Sequence, residues 1–482
     1  MKTRVLSGEQ IQEANQRSLE ILERVGVSIP HPEMLRRFGD AGANVHLASQ
    51  RVRIPAELVT RLVAGAGKTF TLYGRDLSRR AAFGQGSRNY NTIAGEANWL
   101  DTPGTNHRFA RMEDVATAAR FADALEMINI PGAMADPHET PVGYRSVEVC
   151  ATLIRNTTKP FMFWFHDRAS ARYIVEILTA LRGSESAASE KPACFVLLEP
   201  ISPLRFPFNG IDLLYETSRA GIPVAVGPMA QMGVSAPATL AGTICLENAE
   251  VLAGICVTQL VKPGLPVCYG GICHAFDMRT TQLIFAGPEQ AIFGIAMTEI
   301  GKSHGLPVYI NVGLTDSKVP DAQAGLEAMG TLLPGMAAGA DIFGHMGISG
   351  VDQAASLDML VLQHEVIRYA ESAMREVAFD SDSVPLELID EVGPGGTYLD
   401  TEHTVRHFRK SLFVPSLLDR QYYPTWLEAG ASGMAERIAA RKQALLAHVP
   451  APVPGDLERD LNAIVAAARR RLGAAQDAPG PT

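Results

Sequence analysis

The sequence predicts an α/β protein built as a (β/α)₈ TIM barrel with N-terminal and C-terminal helical extensions, and three observations predict it. Short apolar or β-branched runs bounded by Gly, Pro or charge alternate with longer helical segments through most of the chain, as buried parallel strands joined by helices do. The rhythm repeats eight times over about 285 residues, the count and size of such a barrel. It never breaks at a switch point, and no G-x-G-x-x-G follows any of the runs, which argues against an open doubly wound sheet.

Residues 1–89 are expected to form an N-terminal cap. It opens with a capping box, Ser7-x-x-Gln10, that starts a helix running to about Val25. A mixed segment rich in Arg and Gly follows. Residues 90–379 are expected to form the barrel. Its strands fall at Tyr90–Ala97, Met127–Met134, Lys159–Phe165, Ala193–Glu199, Ile222–Gly227, Leu265–Tyr269, Pro307–Val312 and Ala340–Phe343. Its helices fall at about Met112–Glu126, Val142–Asn156, Ala169–Leu181, Gly210–Ala220, Pro237–Val261, Glu289–His304, Asp321–Ala338 and Asp352–Arg375. Residues 380–448 read as a C-terminal helical extension holding Trp426 and a basic amphipathic helix near Met434–His448. Residues 449–482 read as a linker, Pro450–Pro454, a helix over Asp456–Leu472, and a frayed tail from Ala474 to Thr482.

Parallel strands joined by helices carry their functional groups in the loops that follow the strands. The loops after the last two strands hold Asp316, Lys318, Asp321 and His345 in a matrix of Gly, Ala, Met and Leu. Charges that sparse at strand ends read as a site. Lysine is scarce, nine against 34 arginines, so a lysine at a strand end is more notable than an arginine would be.

Composition narrows the function. With 482 residues, 46% hydrophobic and 20% charged, the chain can bury a large core. A net charge of −9 disfavours nucleic-acid binding. The longest apolar stretches contain Gly, Pro and charge, so no membrane span is expected. Met-Lys-Thr-Arg leads into polar residues and not into an apolar segment, so no signal peptide is expected. Six cysteines in so long a chain suggest reduced thiols and a cytoplasmic protein. Cys268 and Cys273 sit five apart with His274 next. That spacing matches no strong zinc pattern, so no metal is expected.

Four segments carry a resemblance. They are Gly227-Pro-Met-Ala-Gln-Met-Gly-Val-Ser-Ala-Pro-Ala-Thr-Leu, Thr315-Asp-Ser-Lys-Val-Pro-Asp-Ala-Gln-Ala-Gly-Leu-Glu, Ala340-Asp-Ile-Phe-Gly-His-Met-Gly, and Arg406-His-Phe-Arg-Lys with Trp426-Leu-Glu-Ala-Gly. Each is weak singly, and the combination is distinctive. The chain resembles the trimethylamine methyltransferase family from about residue 5 to 445. The resemblance implies a barrel that moves a methyl group from an amine to the cobalt of a separate corrinoid (cobalamin) protein, with no cofactor tightly bound to the barrel itself. The archaeal founders of the family carry pyrrolysine at the catalytic centre, whereas this sequence has only standard residues. It therefore resembles the non-pyrrolysine branch, whose members act on quaternary amines such as glycine betaine. A homo-oligomer is also expected.

The departure fits the chemistry. A quaternary ammonium leaves as a neutral amine and needs no proton, so the barrel need only strip water from the cation and point one methyl outward. Aromatic faces hold such cations. Candidates are Trp164, flanked by Phe163 and Phe165 at the end of the third strand, with Tyr90, Trp99, Tyr269 and Phe343. Each aromatic is otherwise an ordinary strand core residue; Trp164, just before His166-Asp167, departs most from that reading. A substrate carboxylate would meet Lys318, whose alternative is an ion pair with Asp316 or Asp321. Asp316 would contact a cation or cap the next helix. Glu199 would balance the ammonium charge. His166, Gln231 and His345 would hydrogen-bond substrate or the corrinoid edge. Gly270, Gly271, Gly344 and Gly347 would let the backbone approach a flat macrocycle, or simply serve turns. Two further readings stay open: a barrel using a sulfonium or a secondary or tertiary amine as methyl donor, and a betaine-sensing barrel without turnover.

Overall fold

A computed structural model describes residues 1–473; the tail expected to fray, Ala474–Thr482, lies outside the described residues. At the N-terminus the capping box forms, with the Gln10 amide donating to Ser7 Oγ at 3.1 Å and the Ser7 amide to Gln10 Oε1 at 2.8 Å. The helix Gly8–Glu20 continues through a wider turn, Ile21–Val25, and stops at Gly26. A small antiparallel sheet of Val27–Ser28, Arg51–Arg53 and Asn44–His46 follows. Next comes a hairpin pairing Phe70–Tyr73 with Arg80–Phe83.

The centre is a curled parallel sheet wrapped by helices. Its six regular strands run in the order Asn89–Thr92, Ile342–Met346, Val308–Asn311, Val267–Gly271, Val224–Val226 and Val196–Leu198. All neighbours are parallel. The stretches expected as second and third strands are not regular strands. They attach by isolated bridges, Asn91 to Ile130 and Gly132 to Met162, and the Phe161 amide donates to the Ala193 carbonyl at 3.0 Å. Pro131 and Pro160 lie in these two stretches, and a proline has no N–H to give a ladder.

Ala94, Ile130, Met162, Phe195, Ala225, Cys268, Tyr309 and Ile342 meet inside the curl as one cluster. Phe70, Leu72, Ala81 and Phe83 of the hairpin complete that cluster and stack it shut, with the Phe70 and Phe83 rings 4.3 Å apart. Burying each of its Leu, Ile, Met and Phe side chains stabilises by about 1.5–3 kcal/mol. The buried Asp341 pins the hairpin to the sheet, because it accepts from the Gly84 amide at 2.8 Å and from the Val308 amide at 2.9 Å while pairing with Lys302.

Helices Met112–Ala124, Val142–Asn156, Arg168–Arg182, Leu240–Val261, Pro288–Ser303, Ala322–Ala338 and Leu357–Ala373 match expectation to within a few residues at most ends. The segment expected as one helix near Gly210–Ala220 is two short ones, Phe208–Asp212 and Leu214–Thr217. Leu240–Val261 is long and apolar enough to cross a membrane by length and composition, but 78% of its most apolar window is buried inside the protein. The last helix of the ring starts later than expected. Ser356, not Asp352, caps it, accepting from the Met359 amide at 3.2 Å. The residues before it fold back instead, with Ile348–Ser349 antiparallel to Ala354–Ala355, which in turn pairs with Trp99. Helices Met434–Leu446 and Gly455–Gly473 close the chain, the second packed on Val142–Asn156 and Arg168–Arg182.

Candidate functional site

A cavity of about 740 Å³ lies at the C-terminal ends of the strands, lined by residues of the loops that follow them. Loop side chains are what a parallel α/β sheet leaves free for chemistry. Three aromatic rings, Trp164, Phe165 and Phe285, stand in its wall. Trp164 is fixed by its indole N–H, which donates to the Gly95 carbonyl at 2.9 Å. Phe285 is buried, stacked on His274 with ring centroids 4.5 Å apart. Its backbone amide donates to Asp316 Oδ1 at 2.7 Å.

Three carboxyl groups share the cavity: Glu96, Glu199 and Asp352. Glu96 follows the first strand, next to the carbonyl that holds Trp164. Asp352 reaches it from the fold-back, whose turn puts Val351 at φ 62° and Asp352 at φ 60°. A β-branched residue in the left-handed region is strained, and here that strain delivers a carboxyl to the cavity. Burial and the Asp352 carboxylate push the Glu96 carboxyl well above the usual carboxylate range, so the two share a proton. Glu199 is reachable from the cavity yet ringed by protein. Desolvation, with Asp352 adding to it, pushes its carboxyl up to about 7.

The floor is polar and neutral. His345 pairs through Nε2 with the Tyr309 hydroxyl, which also accepts from Asn91 Nδ2 at 3.2 Å. Burial holds the His345 imidazole down at about 4, so it is uncharged at neutral pH. Asn311 lines the cavity while only 2% exposed, and its Oδ1 has no partner. Among the described lining residues there is no lysine or arginine. The arrangement suits a cation: aromatic faces, carboxyl groups lining the cavity and no competing positive side chain in the described lining.

Of the residues singled out from sequence, the structure brings Trp164, Phe165, His166, Glu199, Gln231 and His345 together around this cavity and leaves the others outside its lining. Tyr269 points outward and donates to Asn248 Oδ1 at 2.9 Å. Phe343 stacks on Tyr90 with centroids 5.5 Å apart, away from the cavity. Lys318 is exposed, its Nζ donating to the Asp316 carbonyl at 2.8 Å; it forms no ion pair with Asp316 or Asp321. Asp316 does not cap the next helix; Asp321 does, accepting from the Ala324 amide at 3.0 Å. Asp316 instead positions Phe285.

The four glycines are accounted for by close packing. A Cβ at Gly270 would lie 2.4 Å from the Val226 carbonyl oxygen, one at Gly271 2.2 Å from Met297, one at Gly344 1.9 Å from Asn91 and one at Gly347 2.4 Å from Met134. Cys268 and Cys273 are buried, and among the described residues no three His, Cys, Asp or Glu groups converge as metal ligands do. Sequence reasoning missed Glu96, Asp352, Asn311 and Phe285.

Comparison with known proteins places the chain. The family model for trimethylamine methyltransferase matches residues 1–473. A glycine betaine methyltransferase of Desulfitobacterium hafniense (strain Y51) is 30% identical over 475 residues, 98% of each chain. A trimethylamine methyltransferase of Methanosarcina barkeri is 29% identical over 469 residues, 93% of this chain and 92% of the relative. Among solved structures, a Methanosarcina barkeri monomethylamine methyltransferase overlays 98% of this chain and 95% of its own at 9% identity with a TM-score of 0.47. From the family match and the full-length similarity to these relatives, the chain belongs to the trimethylamine methyltransferase family and is a methyltransferase.

Proposed function

We propose that the protein demethylates a quaternary ammonium compound and hands the methyl group to the cobalt of a separate corrinoid protein. The single observation that carries this reading is the cavity of aromatic faces and three carboxyl groups with no lysine or arginine in its described lining. Each aromatic face contributes about 0.5–2 kcal/mol to holding a desolvated cation, and the carboxylates offset its charge. Membership of the family, with a glycine betaine methyltransferase among the relatives, supports a quaternary amine as donor.

The closed (β/α)₈ form belongs to the same proposal. One inner residue from each of eight stretches meets in a single cluster, as layers inside such barrels do.

The corrinoid supplies the nucleophile when its carrier docks over the cavity. The lining fits an acceptor brought from outside, because none of the six cysteines is part of it. This chain's own residues bind and orient. Trp164 and Phe285 flank the trimethylammonium group, and Glu199 with the Glu96–Asp352 pair balances it. Neutral His345 and Asn311 hold the rest of the molecule at the floor. The leaving group is a neutral amine, so no residue has to deliver a proton to it. The reading is tested by incubating the purified protein with quaternary amines and a reduced corrinoid carrier: cobalt methylation is expected, and its absence with every quaternary amine tried overturns the reading.

A further inference from the structure

One segment of the chain is left uncovered by its own fold. Between Glu376 and Gly430 only Leu417 is buried. The three helices there, Leu386–Val392, Glu402–Ser411 and Tyr423–Glu428, bury no residue. Yet half of the large hydrophobic side chains exposed among the described residues lie between Val377 and Leu427. Six of them, Phe379, Leu399, Leu412, Val414, Tyr422 and Tyr423, are 59–87% exposed. At about 150–250 Å² for a large side chain, the segment presents on the order of 1,000–2,000 Å² of apolar surface. The largest apolar patch of a typical monomer is about 300–600 Å², whereas each partner in an obligate dimer buries about 1,000 Å² or more.

The charges of the segment point to what covers it. Residues 376–405 carry eight acidic side chains and no lysine or arginine. Residues 406–420 carry Arg406, Arg409, Lys410 and Arg420 against Asp419 alone. One ion pair within the chain, Arg406 with Asp382 at 3.3 Å, already joins the two halves, while Arg409 and Lys410 stay exposed. Such a surface complements itself: across a two-fold axis the acidic half of one copy meets the basic half of the other. Its position agrees. Glu371, near the end of helix Leu357–Ala373, accepts from Arg88 Nε at 2.8 Å, just ahead of the first strand at Asn89. The segment is tied to the same end of the sheet, where Arg375 donates to the Lys410 carbonyl at 2.8 Å and Arg368 to the Val414 carbonyl at 3.1 Å. The cavity lies at the opposite ends of the strands, so a permanent cover here leaves its mouth open. A corrinoid carrier would have to reach that mouth and leave after each transfer, which a large permanent interface at the far end does not serve. We propose that residues 376–430 form the interface with a second copy of this chain, paired about a two-fold axis.

The experiment is sedimentation velocity on the full chain at micromolar concentration. A particle holding an even number of 51.8 kDa chains is expected. Phe379→Glu with Leu399→Glu should weaken the association by about tenfold or more; both side chains are exposed within the chain, so its own fold is not burdened. A second pair of variants tests the two-fold arrangement without touching apolar surface. Arg409→Glu with Lys410→Glu, and separately Asp390→Lys with Glu391→Lys, should each weaken self-association, and mixing the two chains should restore it, because opposite charges face each other again. A monomeric wild type, or an assembly that Phe379→Glu with Leu399→Glu leaves intact, overturns the proposal. So does an assembly that both charge variants retain, or one that mixing fails to restore. Loss of methyl transfer to a corrinoid carrier in these variants, with the assembly intact and transfer to free cobalamin retained, would make the segment the carrier's docking site and overturn it too. The sedimentation results hold whatever the methyl donor proves to be, so they stand or fall apart from the quaternary-amine reading.

Discussion

Glu199 gives the most quantitative handle on cation binding. With its carboxyl pushed up to about 7 by burial and Asp352, roughly half of the population is neutral at pH 7. A bound ammonium favours the ionised form. Cavity water reaches this carboxyl, so an effective dielectric near 40 applies. For a head-group nitrogen about 5 Å away the attraction is then about 1–2 kcal/mol, or about 5- to 30-fold in Kd. The sign follows from linkage: the cation binds the deprotonated form better, so affinity rises as pH climbs towards about 7 and flattens above it. Glu199→Gln should weaken quaternary ammonium ions by that factor at about pH 8 and remove most of the rise between about pH 6 and 8. Glu96 shares the cavity and titrates higher, burial raises the Asp352 carboxyl as well, and His345 stays neutral throughout this window. His166 lies on the same wall, so the series is repeated in His166→Gln to separate the imidazole. Calorimetry against pH is the assay. Equal affinity of Glu199→Gln and wild type at about pH 8, or an unaltered pH slope, would refute the assignment of Glu199 as counter-charge.

Three further expectations follow from the same geometry. Trp164→Ala should weaken every quaternary amine by about 2- to 30-fold, with Trp164→Phe intermediate; equal binding by the alanine variant in a fluorescence or calorimetric titration would remove the aromatic from the site. Lys318→Met should leave the affinity for both choline and betaine within about twofold of wild type, since its Nζ serves a loop carbonyl; selective loss of carboxylate-bearing ligands would put the lysine back in the site. Chelation should leave methyl transfer intact, and Cys268→Ser should lower stability by about 1–3 kcal/mol by burying a hydroxyl in the inner cluster while kcat/KM is retained; loss of stoichiometric zinc together with activity would overturn this.

The regular strands and most helices were legible because buried parallel strands are continuous apolar runs and helix caps are local. Asp321 and the Ser7–Gln10 box announced their helices directly. Asp352 misled for the same reason. Aspartate is a favoured cap, but Ser356 four residues on takes that role, and the freed segment folds back to place Asp352 beside Glu96. Tyr269 and Phe343 show a different limit. Side chains alternate along a strand, and nothing in Val267-Cys268-Tyr269 says which parity faces the inside of the curled sheet. Cys268 and Ile342 turned out to face in, so their neighbours face out. Trp164 and Glu199 escaped this ambiguity because they lie where strands end and loops begin, whereas His345 lies within the strand Ile342–Met346, whose pairing shifts register between Phe343 and Met346. Glu96 was hidden inside an over-long strand reading, since the regular strand stops at Thr92.

The central claim is that this protein presents a quaternary cation's methyl group to an acceptor brought from outside. The most direct measurement mixes the purified protein with a quaternary amine and reduced free cobalamin or a reduced corrinoid carrier, without any other methyl acceptor, and follows the absorbance of the cobalt. Conversion to the methylated cobalt form, dependent on the amine and diminished in Trp164→Ala and Glu199→Gln, is the predicted result. Demethylation of the amine with a folate and no cobalt, or no cobalt methylation with any quaternary amine, would contradict the account.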